Sequence, residues 1–114
     1  MVNKWEIYHC SLDPTIGSEQ KGTRPVLIIS TNAVNHNLPM STVLPLSSVN
    51  PGDRIYPTEV LLDMSITGLP KLSVAMVQQI RTISHTRFST LSGSITDIKT
   101  QEAILDACRN YFDL

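Results

Sequence analysis

A mostly β fold is predicted here: a small, curled, largely antiparallel sheet with one helix at its C-terminal end. Short runs rich in β-branched and aromatic residues recur as far as Ser84, punctuated by Gly, Pro and Asn clusters. Only the last stretch carries the period of an amphipathic helix. The chain has 114 residues, 41% of them hydrophobic. That is enough for one domain, 1-114, around a single modest core.

The elements follow in order. Residues 5–12, "WEIYHCSL", alternate and contain Trp, Ile and Tyr, so a first strand is expected. "DPTIGSEQKGT" is a loop, longer than a tight hairpin needs. "RPVLIIS" is a short apolar run fit for a buried strand, and Pro25 at its start costs no ladder bond. "TNAVNHNLP" is too polar for a strand and reads as a helical turn or loop. "STVLPLSSV" is a third strand, where Pro45 predicts an edge or a bulge. "NPGD" is a turn, "YPTEVLLD" a fourth strand, and "MSITGLPK" a loop broken by Gly68 and Pro70. "LSVAMVQQIRTIS" is either one strand bent at the glutamines or two strands. Thr96 or Asp97 then caps a helix. Its apolar stripe runs through Ile104, Cys108, Tyr111 and Phe112.

Composition narrows the function classes. The net charge is −1, which argues against a general nucleic-acid coat. Residues 1–96 nevertheless hold seven basic against six acidic side chains, and the tail holds two against four. A local basic groove therefore requires that the arginines converge. No apolar run approaches the roughly 18 residues of a membrane span. The N-terminus lacks the basic-then-apolar pattern of a signal peptide. Cys10 and Cys108 have neither metal-ligand spacing nor disulfide-scaffold density. These features predict a reduced, cytoplasmic protein without a metal or cofactor site.

Few residues carry an obvious chemical signature. No phosphate-binding glycine motif or nucleophile elbow is present. His9, His36 and His85 stand apart in sequence and read as structural, with His85 the most open to another role because arginines flank it. Arg24 differs. A planar, permanently charged donor fork at the join of a flexible loop and a rigid strand suits a phosphate. A salt bridge to Glu19 or Asp13 is the competing reading. Ser47 and Ser48 offer hydroxyls at the end of the third strand, where turn chemistry is the alternative.

Taken together, "LDPTIGSEQKGTRPVLIIS", "VLPLSS" and "LSVAMVQQIRTI" resemble the MazF/PemK family of toxins. The likeness runs from about residue 4 to the C-terminal helix. The resemblance implies an SH3-like small barrel of antiparallel strands with a C-terminal helix, shared with CcdB. It also implies a sequence-specific, metal-independent endoribonuclease that cleaves single-stranded mRNA and stops translation. The partners implied are a second copy, in a homodimer, and a MazE-like antitoxin in the RNA groove.

Residue by residue, Arg24 matches the family's catalytic arginine and Glu19 its loop glutamate. Ser47 falls where many members have a catalytic threonine. The RNA-binding set implied comprises Ser18, Gln20, Lys21, Thr23, Ser48, Gln78 and Gln79. Two departures stand out. One branch uses an Arg, Asp and His set, and this chain has Met76, Gln78 and Ser18 at those positions. The usual Gly near the first strand is Trp5. The implied reaction is attack of a ribose 2′-oxygen on its own phosphate, leaving 2′,3′-cyclic phosphate and 5′-hydroxyl ends. A CcdB-like, gyrase-binding toxin without nuclease activity is the alternative.

Overall fold

The computed structural model describes residues 1–114. Seven strands and three helices follow one another: β1 (Glu6–Ser11), β2 (Thr23–Ile28), α1 (Asn32–Asn35), β3 (Met40–Ser48), β4 (Glu59–Leu62), α2 (Met64–Thr67), β5 (Ser73–Met76), β6 (Arg81–Ser84), β7 (Phe88–Ser94) and α3 (Ile98–Phe112). All recorded pairings are antiparallel, and the strand order is β4-β5-β3-β2-β1-β7 with β6 also on β3. The predicted fold class therefore holds. Closure into a full barrel does not: β7 and β4 end the path without pairing. Helices fill that seam instead, α3 packing on β4 and α2 on β7.

Residue alternation sorts the side chains of the sheet onto two faces. On β2, Leu27 enters one core with Ile7, Leu44, Leu46 and, from α3, Ile104 and Ala107. Val26 and Ile28 enter a second with Cys10, Leu12, Val43 and Ile83. Tyr8 and Phe88 stack over this second core, ring centroids 5.2 Å apart. Each fully buried aliphatic side chain contributes about 1.5–3 kcal/mol.

Pro45 lies in the central strand, not at the predicted edge. Along its other side β3 changes partner, from β6 (ending at Val43↔Arg81) to β5 (starting at Leu46↔Ala75). Leu44 and Pro45 have no partner there, so the missing N–H leaves no ladder bond unmade. The 73–84 run is two strands, joined by a 3-10 turn at Val77–Gln79. The stretch 64–67, expected as loop, is a helical turn. Asp63 accepts the Met64 N–H and Gly68 closes it at φ 77°.

Strand β7 went unpredicted because its residues are largely polar. It is an end strand, mostly solvated, and has no apolar alternation to betray it. Its Gly93 is required: a Cβ there would collide with the Thr67 carbonyl oxygen. Asp97 caps α3, its carboxyl held below the ordinary range first by the Thr100 hydroxyl and then by the Thr100 N–H. The expected stripe is buried at Ile104 but opens at its end, where Tyr111 and Phe112 are exposed. Trp5 adopts φ 74°, the left-handed region where glycine is at ease. Its N–H and C=O bond Ile28 O and Ile95 N at 2.8 Å each, and its ring packs on the larger core.

Candidate functional site

The β1–β2 loop, residues 12–22, crosses the end of the sheet and is held from beneath by three arginines. Arg24 Nε donates to Lys21 O at 2.8 Å. Arg81 Nη1 donates to Leu12 O at 3.1 Å. Arg87 Nη1 donates to Asp13 O at 2.8 Å. The three arginines converge on this loop's backbone, but Arg24 lines one concavity and Arg81 another. Arg81 and Arg87 were not among the expected site residues. Their sequence neighbours give no hint that both reach the same loop. The Cys10 thiol beneath is pushed up by burial, against the opposing pull of the Arg87 and Arg81 charges.

The salt bridge considered for Arg24 does not form. The chain's one ion pair is Arg109–Asp106 on α3. Asp13 instead accepts the Gly22 N–H at 3.2 Å, and Glu19 Oε1 accepts the Ile16 N–H at 2.6 Å. Arg24 is thus aimed by one bond through Nε, and its two terminal nitrogens have no partner in the chain.

The β2–β3 ladder pairs Ile28↔Val43, Leu27↔Leu44 and Val26↔Pro45 and ends there, so no pairing joins Arg24 to Ser47. Beyond that point β3 pairs with β5, Ser47 with Val74 and Ser48 with Ser73. Ser48, not Ser47, lines a concavity with Arg24.

The expected RNA-binding residues divide between two concavities. One, of 240 Å³, is lined by Glu19, Gln20, Gln78 and Gln79 with Pro45, Ile80 and Arg81. The other, of 490 Å³, takes in Lys21, Thr23, Arg24 and Ser48. Ser47 and Ser18 border neither, and Ser18 meets the site only as its carbonyl accepts from Gln79. Gln79 grips the loop twice, accepting from Gln20 N and donating to Ser18 O, both at 3.1 Å. Gln78 bonds Thr58 and Glu59 at 2.9 and 3.1 Å. Gln20 Oε1 is buried without a partner beside Gln79.

Each histidine has a side-chain partner, and His9 also lines the 490 Å³ concavity. His85 Nε2 pairs with the buried Ser41 Oγ at 2.7 Å, which bonds Asn35. His9 Nδ1 meets Ser92 Oγ, and His36 Nε2 meets Asn3 Oδ1 at 2.8 Å. No group of three or more His, Cys, Asp or Glu side chains is placed to hold a metal ion. No helix is long and apolar enough to cross a membrane.

Residues 3–111 match the family model described as PemK-like, MazF-like toxin of type II toxin-antitoxin system. Endoribonuclease EndoA of Bacillus subtilis is 34% identical over 89 residues, covering 78% of this chain and 76% of the relative. Endoribonuclease MazF of Staphylococcus saprophyticus is 33% identical over 102 residues, covering 90% of this chain and 84% of the relative. Among solved structures, Mycobacterium tuberculosis toxin MazF-mt6 superposes with a TM-score of 0.76 at 28% identity, covering 96% of this chain and 97% of that one.

Proposed function

Because this chain belongs to the PemK-like, MazF-like toxins of type II toxin–antitoxin systems, we propose that it is an endoribonuclease that cuts single-stranded mRNA in the cytoplasm and so stops translation. The observation that carries this reading is the geometry of Arg24. Its Nε is fixed to Lys21 O while both terminal nitrogens stay open to an anion. A bidentate guanidinium fork of this kind matches a phosphate.

The reaction proposed is transesterification within the RNA. The ribose 2′-oxygen attacks its adjacent phosphorus as its proton passes to a base. The bond to the 5′-oxygen breaks, and that oxygen takes up a proton. The products are a 2′,3′-cyclic phosphate and a 5′-hydroxyl, and no metal is needed. Arg24 stabilises the charge that develops on the phosphorane oxygens. Ser47, the residue matching the family's catalytic threonine, donates a hydrogen bond to one of them. Glu19 keeps Oε2 available for the 2′ proton, while Oε1 caps the Ile16 amide.

Ser18, Gln20, Lys21, Thr23, Ser48, Gln78 and Gln79 are assigned to hold the strand. Gln79 is gripping the loop, so its side chain reaches RNA only when the loop lifts. The cleavage is sequence-specific in this reading, with bases read outside a duplex stack. The chain acts as a homodimer, and a MazE-like antitoxin brings an acidic segment into the basic groove, ordering as it binds.

The test is incubation of purified protein with a long, unstructured RNA in EDTA, with end-group analysis of the products. Discrete cuts bearing cyclic phosphate ends are expected, with base-paired regions spared. Cleavage that stops in EDTA and returns with magnesium would remove the proposed mechanism. Intact RNA under every condition would remove the nuclease reading and favour a CcdB-like, gyrase-binding toxin, which nothing in the site favours.

A further inference from the structure

Adjacent residues of a strand alternate in side: Ser48, in register with Ser73 on β5, lines the 490 Å³ cavity and Ser47 does not. The lining also includes Lys21, Arg24, Lys71, Leu69 and Pro70. No Asp or Glu lines it. Neither lysine is paired with a carboxylate, since the chain's one ion pair is Arg109–Asp106. Lys71 is exposed, and Arg24 lines the same cavity.

Such a lining has a definite chemistry. Two unpaired ammonium groups, the Arg24 guanidinium and the hydroxyls of Thr23, Ser48 and Ser73 select an anion. The Leu69 and Pro70 wall offers an apolar flank. The volume lies in the range of about 300–1,000 Å³ that suits one small organic group. A nucleotide combines these properties: an anionic phosphate, a ribose with hydroxyls and a flat, partly apolar base.

We propose that this cavity is a binding subsite for the nucleotide next to the scissile phosphate, with Lys71 taking that nucleotide's backbone phosphate. The proposal rests on the RNA-cleaving reading above and extends it to Lys71, in the cavity that Arg24 also lines. The RNA strand then bends around the mouth of β2. One phosphate lies at Arg24 and the next lies between Lys71 and Lys21. A lysine serves here because a contact that positions the strand needs a point charge and not a planar fork.

Salt dependence separates this role from a structural one. Single-stranded binding weakens with salt by a log–log slope of about 0.7 per phosphate neutralised. Lys71→Gln is therefore expected to flatten the slope by about 0.7 and to weaken affinity about fourfold at about 0.15 M salt. Two measurements read it. The first is anisotropy of a 2′-O-methyl copy of an RNA segment that the protein cuts, which binds but cannot react. The second is cleavage of the unmodified segment, where KM rises and kcat holds. Lys99→Gln, the same charge change on the surface of α3, is the control and leaves both unchanged. An unaltered slope in Lys71→Gln overturns the subsite while the wild-type nuclease still cuts. A fall in kcat at saturating RNA also overturns it, because Lys71 then acts on the chemistry. A wild-type protein that neither binds nor cuts RNA removes the subsite together with the reading beneath it.

Discussion

Replacing Arg24 separates catalysis from folding more cleanly than any other substitution in this chain. Its contribution to stability is small and countable: one hydrogen bond, Nε to Lys21 O, and no ion pair. Losing that bond costs about 0.5–1.5 kcal/mol, and the loop keeps its anchors from Arg81 and Arg87. Arg24→Ala is therefore expected to remain folded, with a melting temperature close to that of the parent. Its effect on cleavage is much larger. Removing one preorganised donor from a developing oxyanion costs about 2.7–4 kcal/mol, or 10²–10³ in rate. Arg24→Lys recovers part of the loss. Its single ammonium cannot hold the Lys21 carbonyl and grip two phosphate oxygens at once, as the arginine fork can. RNA affinity should fall far less than turnover, because the contact strengthens in the transition state. Single-turnover cleavage of a short RNA, with circular dichroism as the folding check, makes the measurement. A folded Arg24→Ala protein cutting at a near-parental rate would refute the assignment and leave the arginine a loop anchor only.

Ser47→Ala should slow cleavage more mildly than Arg24→Ala, and Ser47→Thr should keep most of the rate because the hydroxyl is retained; single-turnover rates of the two variants check both. Gln79→Ala removes two bonds at 3.1 Å that hold the loop closed. Faster hydrogen exchange at residues 18–20 is expected, with the folded core unaffected; unchanged exchange would mean that the arginines alone hold the loop. Tyr8 is pushed up to about 12, chiefly by burial and then by its hydrogen bond to Glu6 and the Glu6 charge. A raised phenol favours the folded state below the unfolded value of about 10. Stability should therefore be lost as pH climbs from about 10 through about 12. Glu6→Gln should move the spectroscopic titration of Tyr8 downward.

Much of the fold is legible in local pattern. Alternation over residues 5–12 specifies a half-buried strand by its period of two, while the apolar run after Pro25 and the β-branched stretch at 73–84 specify buried strands by short, continuous apolar composition. Asp97 followed by Ile104 specifies α3 in the same way. The failures have two causes. Strand β7 is polar because it lies at the end of the sheet, and Pro45 is tolerated centrally because β3 changes partners there; both depend on neighbours distant in sequence. The turn α2 is local, made by its adjacent caps Asp63 and Gly68, in a stretch whose Gly and Pro read as loop.

The sequence by itself determined which residue types were on offer: an arginine at a strand mouth, two adjacent hydroxyls, a glutamine pair and a mobile polar loop. Tertiary structure decided how they combine. The change of partner along β3 set Ser48 against Ser73 and placed it with Arg24 in one cavity, which Ser47 does not line. Folding also brought Arg81 and Arg87, remote in the chain, under the loop that Arg24 anchors, and set Lys71 across a cavity from Lys21. The physical reason is that alternation is a property of one strand, readable within it. Register is fixed only when the two cores close and every strand's apolar set must face inward together.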